Sequence, residues 1–183
     1  MINIVSLSGG KDSTYMLHEM VRRGESIDEI INVDTTIEFD DMYNHLERLK
    51  EKFNITILQP EHDFEYYMFE CVMKTSKRAG QKGYGWPNPN FIWCRRHLKL
   101  AIIDKYVKGK YGKDVIVNIG IAFDEYDRYD FDFLKANKRY PLIEWKVTEL
   151  EALKGCYDLG YDWNGLYKRF FRVSCWCCPL QSI

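Results

Sequence analysis

A three-layer α/β sandwich with a mainly parallel, Rossmann-like sheet is the fold the sequence predicts. Three observations predict it. Short apolar runs alternate with helical patterns along the chain, the first run breaks into a glycine-rich turn that opens a helix, and 183 residues suit one domain. Strand–turn–helix units repeated in this order make βαβ crossovers, and these build a parallel sheet covered by helices on both faces.

The elements follow in order. Ile2–Leu7 reads as the first strand. A helix at about Asp12–Arg23 follows, with Tyr15, Met16, Met20 and Val21 near helical spacing and Gly24 as its stop. Glu29–Val33 is the second strand and leads to a helix at about Asp40–Phe53. Ile55–Leu58, ended by Pro60, is the third, with a helix at about Phe64–Thr75. The stretch 78–90 carries three glycines and two prolines, which exclude a regular element there. A loop of that length is a lid, a binding segment or a disordered insert. A fourth helix covers about Arg95–Gly109 and a fourth strand Asp114–Ile121. A last helix at about Thr148–Leu159 opens with Thr148 and Glu151 in capping-box spacing. Residues 1–183 are expected to form a single domain, with an aromatic and cysteine-bearing segment from about 140 to 183 packed on it.

Hydrophobic content of 46%, charged content of 29% and a net charge of −1 describe an ordinary globular chain, and no bulk charge demands a nucleic acid. Basic clusters stand at Lys74–Lys82, Arg95–Lys99, Lys105–Lys113 and Lys168–Arg172. No apolar stretch is long enough to span a bilayer, and the chain opens directly into a strand. A cytoplasmic location without a membrane partner is the expectation. Six cysteines in that compartment are thiols or ligands rather than disulfides.

Ser6-Leu7-Ser8-Gly9-Gly10-Lys11-Asp12-Ser13-Thr14 carries the strongest chemistry. Gly9 and Gly10 let the backbone approach an anion closely. The first N–H groups of the following helix have no intrahelical partner and point at it. Lys11 adds a positive charge, and Ser8, Ser13 and Thr14 add hydroxyls. The spacing is too short for a Walker A loop. Without a ligand, the same residues would make a glycine-rich turn with Asp12 as helix cap.

The motif resembles the PP-loop (Ser-Gly-Gly-x-Asp-Ser) of the adenine nucleotide α-hydrolase superfamily. Asp34, Thr35, Glu38 and Phe39 resemble the Asp-Thr-Gly-x-Glu-Phe-Pro signature of phosphoadenosine phosphosulfate (PAPS) reductase-like proteins, with Thr36 in place of Gly and Asp40 in place of Pro. Gly120, Ile121, Asp124, Glu125 and Arg128 resemble that family's Gly-Ile-x-x-Asp-Glu-x-x-Arg block, and Pro141, Leu142 and Trp145 its Pro-Leu-x-x-Trp block. The resemblance implies an adenine nucleotide α-hydrolase-like fold. It implies an adenosine nucleotide, ATP or PAPS/adenylylsulfate, held by Ser8, Gly9, Gly10, Lys11, Asp12, Ser13, Thr14, Asp34, Thr35, Glu38, Gly120, Asp124 and Glu125. Lys11, Asp12 and Arg128 are the candidate catalytic groups, with Asp12 and Asp34 helping to hold Mg²⁺.

Cys175-Trp176-Cys177-Cys178-Pro179 contains a Cys-x-x-Cys spacing, and Cys94 lies far upstream in Trp93-Cys94-Arg95. In iron–sulfur adenylylsulfate reductases a Cys-Cys pair and a later Cys-x-x-Cys hold a [4Fe–4S] cluster; here Arg95 occupies the second position of the pair. Three outcomes stay open: a three-cysteine cluster from Cys94, Cys175 and Cys178, recruitment of Cys177 as fourth ligand, or a Zn²⁺ site of four thiolates. Buried thiols beside Trp93 and Trp176 are the plain alternative. Cys71 and Cys156 read as core, and His97 as structural.

The reductases attack with a cysteine in a Glu-Cys-Gly-Leu-His tail, whereas Leu180–Ile183 alone follow the last Cys-Pro here. Three functions follow from the resemblance. In the first, ATP is cleaved at the α-phosphate to AMP and pyrophosphate, activating an acceptor such as tRNA or DNA for sulfur transfer. The second is a sulfonucleotide reductase taking electrons from a thiol donor such as thioredoxin. The third is a nucleotide-binding subunit without chemistry of its own. A homodimer is the expected assembly.

Overall fold

The computed structural model describes residues 1–74, 78–125 and 137–181. Five parallel strands form one sheet in the order β3-β2-β1-β4-β5: β1 Ile2–Ser6, β2 Glu29–Val33, β3 Ile55–Leu58, β4 Val115–Ile119 and β5 Lys138–Arg139. The helices are α1 Lys11–Arg22, α2 Asp40–Lys50, α3 over 93–111, α4 Pro141–Glu144 and α5 Glu149–Asp158. A π-helical turn, Tyr66–Glu70, follows β3, and a 3₁₀ turn, Trp163–Lys168, follows α5.

Strand alternation divides the core between two faces. Val5, Leu7 and Ile30 point to one side, where they meet Met16, Leu17 and Met20 of α1, Leu46 and Leu49 of α2, and Cys156 of α5. Ile4, Ile31, Val115 and Val117 point to the other, against Val107, Ile102 and Ile103 of α3. Tyr161, Trp163, Leu166 and Val173 join the first cluster, so the chain beyond α5 wraps the side that carries α1. Two buried amides brace the central strand: Asn32 Nδ2 donates to the Leu7 carbonyl at 2.8 Å and Asn118 Nδ2 to that of Ile4 at 3.0 Å.

The four expected strands are present: β2 and β3 keep the expected bounds, β1 and β4 are shorter by one or two residues at an end, and β5 was not expected. On α1 the buried stripe takes Leu17 rather than Val21, which is half exposed. The helix expected to run to Thr75 ends at Glu70 instead. Beyond it Met73 N donates to the Gln81 carbonyl and Gly83 N to that of Cys71, so the chain doubles back as an irregular hairpin. Gly83, at φ +69°, permits this: a Cβ there would stand 2.3 Å from the Met68 carbonyl oxygen. Cys71 is consequently half-buried rather than core, while Cys156 is fully buried. The fourth helix is longer than expected and contains a π turn at Arg96–Leu100, just after Cys94. The capping box at Thr148 and Glu151 forms. Among the described residues no helix is long and apolar enough to cross a membrane.

Candidate functional site

The strand order reverses direction at β1, which lies between β2 and β4, and open α/β sheets bind ligands beyond the carboxyl ends of strands at such a point. The glycine loop leaves β1 there. Gly9 takes φ +79°, which favours glycine, and Gly10 is the N-cap of α1. Ser13 Oγ lies 2.9 Å from Ser8 Oγ, accepts from Ser8 N at 3.1 Å and donates to the Gly10 carbonyl at 3.1 Å, so these hydroxyls fix the loop. Thr14 turns into the core, 3.0 Å from His45 Nε2, away from the cleft. Gly120 closes the other flank. A Cβ on it would lie 2.7 Å from both N and Cα of Ser13, so only glycine lets the end of β4 meet the first turn of α1.

Three carboxylates gather at that turn. One oxygen from each of Asp12, Glu125 and Glu149 lies within 4.8 Å of the others. Buried Lys11 reaches into the group, with Nζ 2.5 Å from Glu149 and 3.2 Å from Asp12. Burial by itself would lower the Lys11 pKa, but Asp12 and Glu149 outweigh it and hold it above the ordinary value. Burial pushes Asp12 up to about 6, with Glu125 and Glu149 adding to the rise against Lys11. Asp12 Oδ1 is buried without a hydrogen-bond partner. A set of oxygen donors with one orphaned oxygen fits a hard cation such as Mg²⁺. Asp124 lies one step back: its carboxylate accepts from Glu149 N at 2.9 Å and so seats the first turn of α5.

The same cleft, about 220 Å³, runs from Ser8, Gly10 and Lys11 to a wall bearing Cys94, Cys175 and Cys178. Cys177 does not line the cleft, but it packs against the cluster of Ile37, Phe64 and Trp93 that Cys94 and Cys175 also meet, and it lies close enough to Cys94 and Cys178 to feel their charge. The segment 174–178 is pinned by Trp176 N donating to the Ile37 carbonyl and Cys178 N donating to that of Cys175. Burial raises the Cys175 thiol to about 11, moderated by Lys99, and burial also raises Cys94 and Cys177. Lys99 Nζ donates to Glu38 at 3.0 Å and to Ser174 Oγ at 3.1 Å. Two thiolates on one zinc ion stand at most about 4.6 Å apart, given Zn–S bonds of about 2.3 Å. Among the described residues only the carboxylate trio closes to such a spacing. Cys94, Cys175 and Cys178 nonetheless line one cleft, and cysteine thiolates are the donor set of an iron–sulfur cluster.

The other sequence-derived candidates distribute unevenly. Thr35 lines the cleft and donates to Glu38 at 2.9 Å. Glu38 is buried between Thr35, Lys99 and Cys175, so it faces the thiol wall. Asp34 is turned aside, accepting from Tyr43 Oη and Thr36 N. Thr36, where the related signature has Gly, sits at φ +65°, the conformation that Gly would adopt without strain. Arg128 lies outside the described residues. Sequence reading missed four cleft residues: Glu149, Lys99, Arg172 and Tyr167. Tyr167 Oη accepts from Lys11 N at 2.8 Å, at the mouth of the anion cradle.

The chain matches the phosphoadenosine phosphosulfate reductase domain over residues 2–181. A curated relative, the uncharacterized protein MJ0066 of Methanocaldococcus jannaschii, is 25% identical over 98% of this chain and 36% of its own. Among solved structures, the U34-tRNA thiolase NcsA from Methanococcus maripaludis, determined with its [4Fe–4S] cluster, is similar with a TM-score of 0.51 at 20% identity. That similarity covers 87% of this chain and 58% of the thiolase. The chain thus spans about a third of the curated relative and less than two thirds of the thiolase. The structural likeness bears on the fold alone, a Rossmann-like α/β architecture.

Proposed function

The chain belongs to the phosphoadenosine phosphosulfate reductase domain family, and on that premise we propose that it binds ATP at the glycine loop and cleaves it at the α-phosphate to activate an acceptor for sulfur transfer. One observation carries the reading: the anion cradle, the carboxylate trio and three thiols share a single cleft. In the proposed reaction an acceptor oxygen attacks the α-phosphorus, the bond to the β-phosphate oxygen breaks, and pyrophosphate leaves with the electron pair. A sulfur nucleophile then displaces AMP from the adenylylated acceptor.

The chain's own groups have separate tasks. The N–H groups of Asp12 and Ser13 in the first turn of α1 and the Lys11 ammonium would face charge that grows on the departing pyrophosphate, Lys11 N being held by Tyr167. Asp12, Glu125 and Glu149 would hold Mg²⁺, which when bound shares that charge. Asp124 keeps Glu149 in place through the α5 N-terminus. Tyr167 and the Ser8–Ser13 pair keep the loop in its anion-binding shape. Cys94, Cys175 and Cys178 would hold an iron–sulfur cluster with one iron lacking a cysteine ligand, the position at which such a cluster can bind sulfide. The tRNA thiolase with its cluster supports this assignment by analogy of fold.

Incubation of anaerobically purified protein with ATP and candidate acceptors tests the reading. AMP and pyrophosphate formed in equal amounts, dependent on acceptor, support it; turnover unaffected by Lys11→Met or Glu149→Gln removes it. The family's own description favours a second reading, a sulfonucleotide reductase. Sulfite release from PAPS in the presence of thioredoxin, without pyrophosphate from ATP, would establish that one instead.

A further inference from the structure

From Cys71 to Ile103 the chain contains no Asp or Glu, yet it carries Lys74, Lys77, Arg78, Lys82, Arg95, Arg96 and Lys99. In a chain of net charge −1 this is a sharp local excess of positive charge. Glu65 and Glu70 on the preceding turn mark its border. The same segment holds two exposed aromatic side chains: Trp86 is 54% exposed and Phe91 43%.

These rings rest on a rigid base. Trp86 meets Phe64 edge-on at 5.9 Å, and Phe91 meets Tyr84 at 5.8 Å. Beneath them Tyr84 stacks on Trp93 at 5.7 Å and on His97 at 5.2 Å. The backbone is tied down as well, with Tyr84 N donating to the Tyr67 carbonyl, Gly85 N to that of Met68, and Trp93 Nε1 to that of Gly85. Of the lid, binding segment and disordered insert expected for this stretch, the braced backbone and rings favour a binding segment in the form of a platform. It ends at the cleft, since Ile92, Cys94 and Arg95, directly after Phe91, line the cavity that holds the glycine loop.

We propose that this platform docks an unpaired stretch of a polynucleotide and delivers one of its nucleotides to the cleft, Trp86 and Phe91 stacking on bases while Lys74, Lys82 and Arg96 meet the phosphates. The proposal rests on the sulfur-transfer reading and deepens it by assigning the surface that would hold the expected acceptor. Three features favour a polynucleotide over an acidic protein. Flat rings held in advance suit bases, since every base has a face to stack and little side-chain freedom is lost. Asn90, exposed in the chain between Trp86 and Phe91, offers an amide that matches a base edge, while Asn88 Oδ1 accepts from Asn90 N at 3.0 Å and holds the turn. The positive charge is spread along the segment, as a backbone of repeated phosphates requires.

Fluorescence anisotropy with a labelled RNA hairpin, its fully paired duplex and a single-stranded DNA of the loop sequence tests this without ATP present. Both unpaired probes should bind more tightly than the duplex, and their relative affinities distinguish RNA from DNA as the source. Trp86→Ala should weaken hairpin binding about 5- to 150-fold, the range for one stacked base. Lys82→Glu with Arg96→Glu should reduce the salt slope by about 0.7 for each lost phosphate contact. Phe91→Ala repeats the test independently, and unchanged ATP affinity certifies that each variant is folded. Hairpin affinity and salt slope unmoved by all of these variants would overturn the proposal. So would a Trp86→Ala variant that changes a dimer to a monomer in sedimentation while binding the hairpin normally, which would make the face a contact between copies. Loss of hairpin binding in the variants with no ATP cleavage by the wild type would sustain the platform and remove the activation chemistry. ATP cleavage onto a small acceptor with no polynucleotide binding would do the reverse.

Discussion

Replacing Asp12 with Asn should make the ligand-free protein more stable at neutral and alkaline pH while removing its activity. Asp12 titrates near 6 when folded, against 3.8 for an unperturbed carboxyl, because burial and the neighbouring carboxylates outweigh Lys11. A folded pKa raised above the unfolded one means that the folded chain holds the proton more tightly. The associated stability is fully present below pH 3.8 and is lost as pH rises through about 6. Above that pH the ionised Asp12 therefore destabilises the fold by about 3 kcal/mol, at about 1.4 kcal/mol for each tenfold change in proton affinity. Asn keeps the shape without the charge, and Lys11 retains Glu149 as partner. Urea unfolding of the two proteins across pH 4 to 8, followed by tryptophan fluorescence, should show a gap of about 3 kcal/mol at pH 8 that closes towards pH 4. Mg²⁺ at pH 8 should narrow the gap by stabilising the wild type. A variant no more stable at pH 8, or a gap indifferent to pH, would refute the electrostatic account of this site.

Other substitutions probe separate parts of the cleft. Lys11→Met should raise the calorimetric Kd for MgATP about 10- to 150-fold, the worth of one charge-assisted contact; an unchanged Kd would remove Lys11 from the phosphate site. Gly120→Ala should lower stability by about 1–3 kcal/mol and weaken ATP binding together, because its Cβ collides with backbone at Ser13. Unchanged thermal unfolding would show that the approach of β4 to α1 is not tight. After anaerobic purification, Cys94→Ser and Cys175→Ser should lose iron while Cys177→Ser keeps it; equal loss in all three would make Cys177 a ligand. His45 is buried and its pKa lowered to about 3, so its contribution to stability is present above pH 6.5 and lost as pH falls towards 3. His45→Gln should flatten that acid limb of the stability profile, and an unaltered limb would assign it to other groups.

The parts of this architecture that were legible in the sequence are those specified locally. The strand, two glycines, lysine and helix start at 2–14 dictate their own geometry, as does the capping box at Thr148. Glu149 was hidden by that same box: an acidic residue in a first turn already has a local explanation, and only the fold brings it to Asp12. Lys99 and Tyr167 became legible only in three dimensions, because their partners Glu38 and Lys11 lie 61 and 156 residues away. The helix expected through Thr75 failed because pairing with Gln81 and Gly83 outcompeted local propensity. The 3₁₀ turn at Trp163–Lys168 was obscured by Asn164 and Gly165, both at positive φ and both typical of loops. Asp34 illustrates the opposite case: a motif residue whose carboxylate the fold commits to Tyr43 and Thr36 rather than to the cleft.

The proposed function places a nucleotide and a cysteine-bound cluster in one cleft. The electron paramagnetic resonance spectrum of anaerobically purified, reduced protein, recorded with and without MgATP, tests that claim most directly. A shared cleft requires a [4Fe–4S] signal whose shape changes when the nucleotide binds, and which is absent from Cys175→Ser. No cluster signal, or a signal indifferent to saturating MgATP, would contradict it.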